Sequence, residues 1–427
     1  MRQEEMTPDT LQQPAVRALI QQTADVLGAP LDDATIEYKI PDEMMRSLRE
    51  DVFVFSGFKT YHQLKEASEL LLDEQGHVKS FNKFYQDVSG IREKYNRNWL
   101  HAEYNFAVAS SQMAAKWAEQ SADADICDLT YSTAGDDKVR PDHAALDGVT
   151  LPVEDPFWSY AYPPNGWNCR CNVIRSLKGT RPLSNSERCQ ETFMQTTEGR
   201  EEIFRYNPGR DKVLFPPHHP YYGKRGYKHC LNPHLATSLG DGEECQIHSN
   251  LKQNIEEDTT RKEERKKQFE KLKNDPKYTD VDFNPNNGGL KATHIDHNFD
   301  NKKGWYERRI QSIGFEEGHA VVLEAEPGNT FKHKHSEGTW NGNVMEIAGA
   351  EIGSSANIRN ALKHCASKPN VKVAVVFFPD SNALSVSNIE KGIARYNGLK
   401  GTSQWKLFDE ILFISNDGKI IQKKPEL

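Results

Sequence analysis

No stretch of the 427 residues approaches the ~18 consecutive apolar positions of a membrane-crossing helix. The amino end, MRQEEMTPDT, has neither the basic nor the apolar segment of an export signal. These absences predict a soluble protein made in the cytoplasm, with no membrane-spanning segment. A strong excess of one charge is missing too. The net charge of −8 argues against a general nucleic-acid coat and leaves room for a local basic face. Cysteine is too sparse for a disulfide scaffold. Seven cysteines, several close to histidines, favour free thiols or metal ligands in a reducing compartment. Internal repeats and low-complexity tracts are absent. What is present is enough apolar material, 37% hydrophobic and 10% aromatic, to bury real cores. The length predicts two to four domains.

The expected organisation is multidomain. Residues 1–124 read as mostly α-helical, because apolar residues recur at helical spacing from about Leu11 to Ala124. The clearest stripe is Trp99, Leu100, Tyr104, Ala107, Met113, Ala114 and Trp117, which a packed helix alone explains. Residues 125–180 turn to Gly, Pro, Asp and aromatics with short apolar runs, predicting a small turn-rich α+β module. Residues 181–250 are irregular and rich in Pro, His and Cys, so loops held by something other than a core are expected there. Residues 251–280 include the almost wholly charged Lys252–Asp275, read as a solvated helix or linker and the best domain boundary. Residues 281–427 read as a C-terminal α+β domain. AVVLEAE and VKVAVVFF are strand-like, NIRNALKHCA and SNIEKGIARYN helical, and EILFIS with Asn-Asp-Gly and KIIQKK a terminal hairpin.

The most specific stretch is Tyr131 to Cys171, YSTAGDDKVRPDHAALDGVTLPVEDPFWSYAYPPNGWNCRC. Asp147-Gly148 and Asn165-Gly166 are turn formers, and Pro163-Pro164 stiffens the approach to the second turn. Trp158 and Trp167 supply apolar area to a small core. Such a unit needs a staple. Cys169 and Cys171, with His143 and either Cys127 or Asp142, offer donors for a tetrahedral structural zinc. A core histidine beside two buried thiols is the competing explanation. A second candidate set lies further on, where Cys230 and His234 are four apart and Cys245 and His248 three apart, as in small zinc knuckles. Neither set would be catalytic if closed by four protein ligands.

The succession Val139-Arg140, His143, Leu146-Asp147-Gly148, Asp155-Pro156-Phe157-Trp158, Pro163-Pro164-Asn165-Gly166-Trp167 and Cys169-Arg170-Cys171 resembles the Mu F-like and related phage head-morphogenesis family. With the preceding helix, the resemblance covers roughly residues 90–180. It implies a minor capsid component of the virion near the portal vertex, with portal and capsid proteins as partners, acting in head assembly or early DNA events.

In the C-terminal part, residues 285–427 carry 18 Lys/Arg against 16 Asp/Glu, slightly basic within an acidic chain and in keeping with a nucleic-acid partner. Metal-free RNA cleavage needs a base, an acid and a cation. Phe331–His335 places two imidazoles and two ammonium groups within five positions. On a strand His333 and His335 share a face and can split acid and base duties near neutral pH. Glu346 could orient a histidine, Arg359 and Lys363 one turn apart could hold phosphates, and His294 and His297 are further candidates. Singly, each histidine is more simply a surface residue. The order helix, strand, strand, helix, strand over Thr293–Lys424 is similar to the barnase/EndoU/colicin/RelE-like (BECR-like) nuclease group, in particular the tRNA-cleaving domains of contact-dependent inhibition toxins. That resemblance implies a metal-independent RNase with tRNA as substrate, no catalytic cofactor, an immunity protein as partner and action in the host cytoplasm. Those domains carry Glu-x-Lys where this chain has Glu346-Ile347-Ala348, so the lysine is missing. Two other readings stand beside it: a purely structural appendage, and a metal-dependent DNase of the restriction type using Glu337 and Glu346.

Overall fold

The computed structural model describes residues 6–71, 73, 77, 79–197, 199–223, 242–299, 304–326 and 335–423. Of the candidate residues, Cys230, His234 and His333 lie outside the described residues. The chain divides into two compact units, Met1–Glu256 and Glu257–Leu427.

In the first unit the helical spacing of the sequence becomes the helices Pro14–Glu37, Asp42–Glu69, Phe81–Glu93 and Leu100–Ala122. Ile20, Leu27 and Leu31, then Leu48, Val52, Phe55 and Phe58, then Phe106, Ala107 and Ala114 meet in one apolar core. Burying each large side chain contributes roughly 1.5–3 kcal/mol. Gly57 lets a further helix approach, since a Cβ there would fall 2.2 Å from the Leu251 side chain. Residues 199–223, expected to be loops without a core, are instead anchored in this one by Phe204, Tyr206, Leu214, Phe215, Tyr221 and Tyr222. Phe55 and Phe215 stack with centroids 3.8 Å apart. Aromatic side chains bury enough area to fix a chain that has little regular structure.

A charged pair sits inside that core. Lys59 Nζ lies 2.6 Å from Glu103 Oε2, with the two side chains only 2% and 4% exposed. The ammonium also donates to the carbonyl of Tyr95 at 2.9 Å. The second carboxylate oxygen accepts from the Tyr221 hydroxyl at 3.0 Å. Burial pushes the lysine pKa down and the glutamate pKa up, and each opposes the other's shift.

The turn-rich stretch forms a three-stranded antiparallel sheet in the order β2-β1-β3, with β1 Cys127–Ser132, β2 Thr150–Pro152 and β3 Asn172–Leu177. Leu129, Tyr131, Phe157, Trp158, Tyr162, Val173 and Phe193 fill a second core, to which the Leu100–Ala122 helix adds Met113 and Trp117. That helix therefore serves two cores from different faces. The Trp158 indole donates to the carbonyl of Pro152 at 3.0 Å. Tyr162 donates to Gln120 Oε1 at 2.7 Å, and the Gln120 amide bonds the carbonyl of Val173.

The second unit is built on an eight-stranded mixed sheet, ordered β11-β10-β9-β8-β7-β6-β5-β4. Its strands are β4 Tyr278–Phe283, β5 Leu290–His294, β6 Ala320–Leu323, β7 Gly338–Trp340, β8 Asn343–Gly349, β9 Val373–Phe378, β10 Glu410–Ser415 and β11 Ile420–Lys423. The pairs β5–β6, β8–β9 and β9–β10 are parallel, and helices Gly304–Glu316, Ser355–Ala366 and Val386–Asn397 cross between them. These crossovers put helices between parallel strands, with antiparallel pairs at both edges of the sheet. The continuous apolar run of β9 fits this: Val373, Val375 and Phe377 pack towards Tyr306 and Ile310, while Ala374, Val376 and Phe378 pack towards Ile358 and Ile389. A strand covered on both faces needs no alternation. GTWNGNVMEIAG is a hairpin rather than one strand, turning at Asn341 and Gly342 with φ of 50° and 80°, as Asn-Gly between apolar residues favours.

The charged segment is one helix, Glu243–Lys273. It is not a wholly solvated linker. Leu272 and Phe269 cover Leu290, Ala292, Ala320 and Val322 of the sheet. Buried Arg265 donates to the carbonyl of Gly288 at 2.9 Å and to Asn341 Oδ1 at 2.6 Å.

Removing one partner of a buried pair strands the other charge, so Lys59→Met should destabilise the first unit by about 3–5 kcal/mol. Lys59→Met with Glu103→Leu should cost less than Lys59→Met alone in urea unfolding. Additive losses in the double variant would show that the two charges act independently.

Candidate functional sites

Two arrangements concentrate chemistry. The first lies in the turn-rich module. The short helix Pro141–Ala144 presents His143, and the segment entering β3 presents Cys169 and Cys171. His143 Nδ1 stands 3.3 Å from Cys171 Sγ and 3.7 Å from Cys169 Sγ. The other ring nitrogen, Nε2, lies 3.3 Å from the carbonyl of Asn165 and 3.5 Å from Asp142 Oδ2. Nε2 thus faces the carbonyl and the carboxylate, and Nδ1 faces the two sulfurs. The Asn165 side chain accepts from the Tyr131 hydroxyl at 2.9 Å, so the turn, the strand and the histidine share one residue. Hydrogen bonding from Cys171, opposed by burial and aided by His143, draws Cys169 down to about 4. Cys171 moves the opposite way, because its neighbour Cys169 already holds the negative charge. Burial disfavours a charged His143, but Cys169 outweighs it and the histidine pKa rises.

Cys127 does not join this group. It pairs with Leu177 at the far end of β1, while the cluster sits beside the end where Tyr131 pairs with Val173. Four strand residues separate them, about 13 Å. Asp142 is the acidic neighbour instead. Of the second cysteine–histidine set, Cys245 and His248 lie on the Glu243–Lys273 helix. His248 is buried, and burial lowers its pKa to about 4.

The second arrangement lies in the second unit. Glu346, on β8, is fully buried. Its Oε1 lies 2.9 Å from His364 Nε2 and 3.0 Å from Lys368 Nζ. Its Oε2 is buried and meets no hydrogen-bond donor among the described residues. Glu337 precedes β7, and its carboxylate accepts from the backbone N–H of Ile347 at 2.6 Å. Burial first, then the charges of Glu346, Glu307 and Glu326, push the Glu337 pKa well above the usual carboxylate range. Glu307, on the Gly304–Glu316 helix, lies 2.9 Å from Nε2 of His297, whose ring is wholly buried and whose Nδ1 donates to the carbonyl of Glu324. Burial lowers the His297 pKa, but the bond to Glu307 reverses the shift upward.

The remaining candidates are not brought together. His335 is met at its backbone carbonyl by Lys368. His294 accepts from the backbone N–H of Asp296 and packs edge-on to Tyr278. Arg359 bonds the neighbouring Asn360. Lys363 is half-buried one turn further along the same helix. Glu307, Glu326, His364 and Lys368 went unread in the sequence. Glu307 had a signal, an acid three residues before Ile310 on the buried face of an amphipathic helix. Lys368 follows its helix by two residues and carries no motif.

Residues 75–174 match the family described as Phage Mu protein F like protein. This segment of the first unit is thus similar to F-like proteins of Mu-type phages. The segment is 38% identical over 98 residues to a protein F of Escherichia phage Mu that carries a capsid-assembly name, and 39% identical over 61 residues to the Mu-like prophage FluMu F protein of Haemophilus influenzae. The first alignment covers 22% of each chain, the second 14% of this chain and 15% of the other. The chain thus spans about a fifth or less of the length of these curated relatives. Among solved structures, a CdiA-CT/CdiI toxin and immunity complex from Burkholderia pseudomallei aligns with 29% of this chain and 86% of its own at 23% identity. Its TM-score of 0.23 is too low to define a shared fold.

The crowding of carboxylates has a measurable consequence without any ligand. A folded pKa above the unfolded one means that the native state keeps a proton the unfolded state has lost. Stability then falls as pH rises from about 4.3. Glu337→Gln should flatten that fall in urea midpoints of the second unit taken in chelator between about pH 4 and about pH 8. An unchanged slope would remove Glu337 from the crowded group.

Proposed function

We propose that this protein acts in phage head assembly through its F-like module and carries, in its second unit, a nuclease dependent on a divalent cation. The head reading is supported by the family match over residues 75–174. On this reading the protein belongs to the virion, with portal and capsid proteins as partners. No described helix is long and apolar enough to cross a membrane.

The observation that carries the nuclease is Glu346, a buried carboxylate with one oxygen on Lys368 and the other without a donor among the described residues, beside a second enclosed acid, Glu337. The charges of Glu346, Glu307 and Glu326 all bear on Glu337, and among the described residues Lys368 is the ammonium group bonded into this set of acids. A hard divalent cation bound by one or two carboxylates and by substrate phosphate would polarise the phosphoryl oxygens. Glu346 and Glu337 would hold it. Lys368 supplies the cationic group that Ala348 lacks, from the chain after a helix rather than from the strand. His364, half-exposed and bonded to Glu346, can move a proton at the mouth of the site. This reading moves the chemistry away from the His333 and His335 pair and from metal-free cleavage of tRNA, and it takes up the restriction-type alternative.

The full-length protein should cleave nucleic acid in magnesium or manganese and lose activity in EDTA. Glu346→Gln and Lys368→Ala should each lower the rate by about a hundredfold or more, with near-UV dichroism unchanged. Supplying tRNA and single- and double-stranded DNA in parallel identifies the substrate. Cleavage that survives EDTA and falls with His335→Ala would replace this reading with the metal-free ribonuclease, the reading in which an immunity protein is the natural partner. Failure to cleave any of these substrates would favour a purely structural second unit.

A further inference from the structure

We propose that His143, Cys169 and Cys171 bind one zinc ion that fastens the Pro163–Trp167 segment to the module's sheet. A tetrahedral zinc with bonds of about 2.3 Å to sulfur and about 2.0 Å to nitrogen holds such ligand atoms about 3.5 Å apart. The two sulfurs stand 3.3 Å and 3.7 Å from Nδ1, on either side of that value. The three ligand atoms lie within 4.8 Å of one another.

The surroundings are those of a ligating histidine. Its second nitrogen is engaged by the carbonyl of Asn165, with Asp142 alongside, which fixes the ring and leaves Nδ1 aimed at the thiols. Asn165 is itself buried and held by the hydroxyl of Tyr131, a fully buried residue of the central strand. Two thiolates and an imidazole select a soft or borderline ion over magnesium or calcium.

Among the described residues no fourth cysteine, histidine or carboxylate joins the group. Cys169 and Cys171 also line a groove of about 480 Å³ against the Leu100–Ala122 helix, beside Gln112 and Lys116. Solvent reaching through that groove supplies the fourth position. Asn165 and Trp167 hang on this fastening, Asn165 through His143 and Trp167 through its carbonyl to Arg140, one residue before the short helix that presents His143.

The test uses the full-length chain. Zinc per chain, measured by elemental mass spectrometry after desalting, should be one equivalent lower in a Cys169→Ser/Cys171→Ser variant than in the wild type. Cys189→Ser should match the wild type. Taking the difference makes any zinc held elsewhere in the chain irrelevant. Cobalt exchanged into the wild type should show a thiolate-to-cobalt charge-transfer band that the double variant lacks. Where the double variant does not fold, alkylation of Cys171 in the wild type gives a second reading: it should be slow until a chelator is added. Equal metal content with no cobalt–thiolate band in folded wild type overturns the proposal, as does a Cys169–Cys171 disulfide found by mass. Neither result bears on the nuclease, whose residues lie in the other unit.

Discussion

The first unit depends on a rule about buried charge. Lys59 and Glu103 are shut away from water, and separating them would leave an ion in an apolar core at a cost of several kcal/mol. Each makes one further hydrogen bond, Lys59 to the carbonyl of Tyr95 and Glu103 from the hydroxyl of Tyr221. Three stretches of chain, one of them holding both Tyr95 and Glu103, must therefore arrive in one register. The Asp42–Glu69 and Leu100–Ala122 helices, the turn holding Tyr95 and the Pro220–Tyr222 segment have a common meeting point that tolerates little sliding. The apolar stripes alone would permit several packings of similar area. The ion pair penalises those that separate it.

The same rule, left unbalanced, distinguishes the second unit. Its sheet is as well filled as the helical core, yet Glu346 and Glu337 sit where apolar side chains would be more stable. One carboxylate oxygen has no donor among the described residues, and neighbouring acids raise the free energy of the charged state. A fold tolerates such an arrangement at a cost to its stability. Strain of this kind is most common where a site has to bind something of opposite charge.

How much of this could be read in the residues varied with the kind of signal. Periodicity gave the first unit's helices, an unbroken apolar run gave β9 and Asn-Asp-Gly gave the terminal hairpin, because each is a local signal. The turn-rich module was legible for a different reason: tryptophan, proline, Asn-Gly and Cys-x-Cys in close order leave few alternatives. His143, Cys169 and Cys171 were found on residue type, whereas Cys127 was grouped with them although strand geometry carries it away. The hairpin at Asn341-Gly342 carried an available signal that went unread. The aromatic anchoring of residues 199–223 was missed because prolines masked a contact made at long range. In the second unit the conspicuous FKHKH run drew attention from acids that converge only after the sheet is assembled. Nothing local in the sequence brings Lys368 to Glu346, since that meeting depends on the β8–helix–β9 crossover.

The Glu243–Lys273 helix shows how charge content can mislead about a segment's place. Its last turns roof the outer strands of the sheet: Phe269 and Leu272 shield β5 and β6, and Arg265 closes the loops at Gly288 and Asn341. A polypeptide cut to begin at β4 would leave those apolar strands wet and the Gly288 carbonyl without its cation. For dissecting this protein, the natural seam thus falls within the helix, near Glu257, and the residues from there to Lys273 must travel with the sheet they cover.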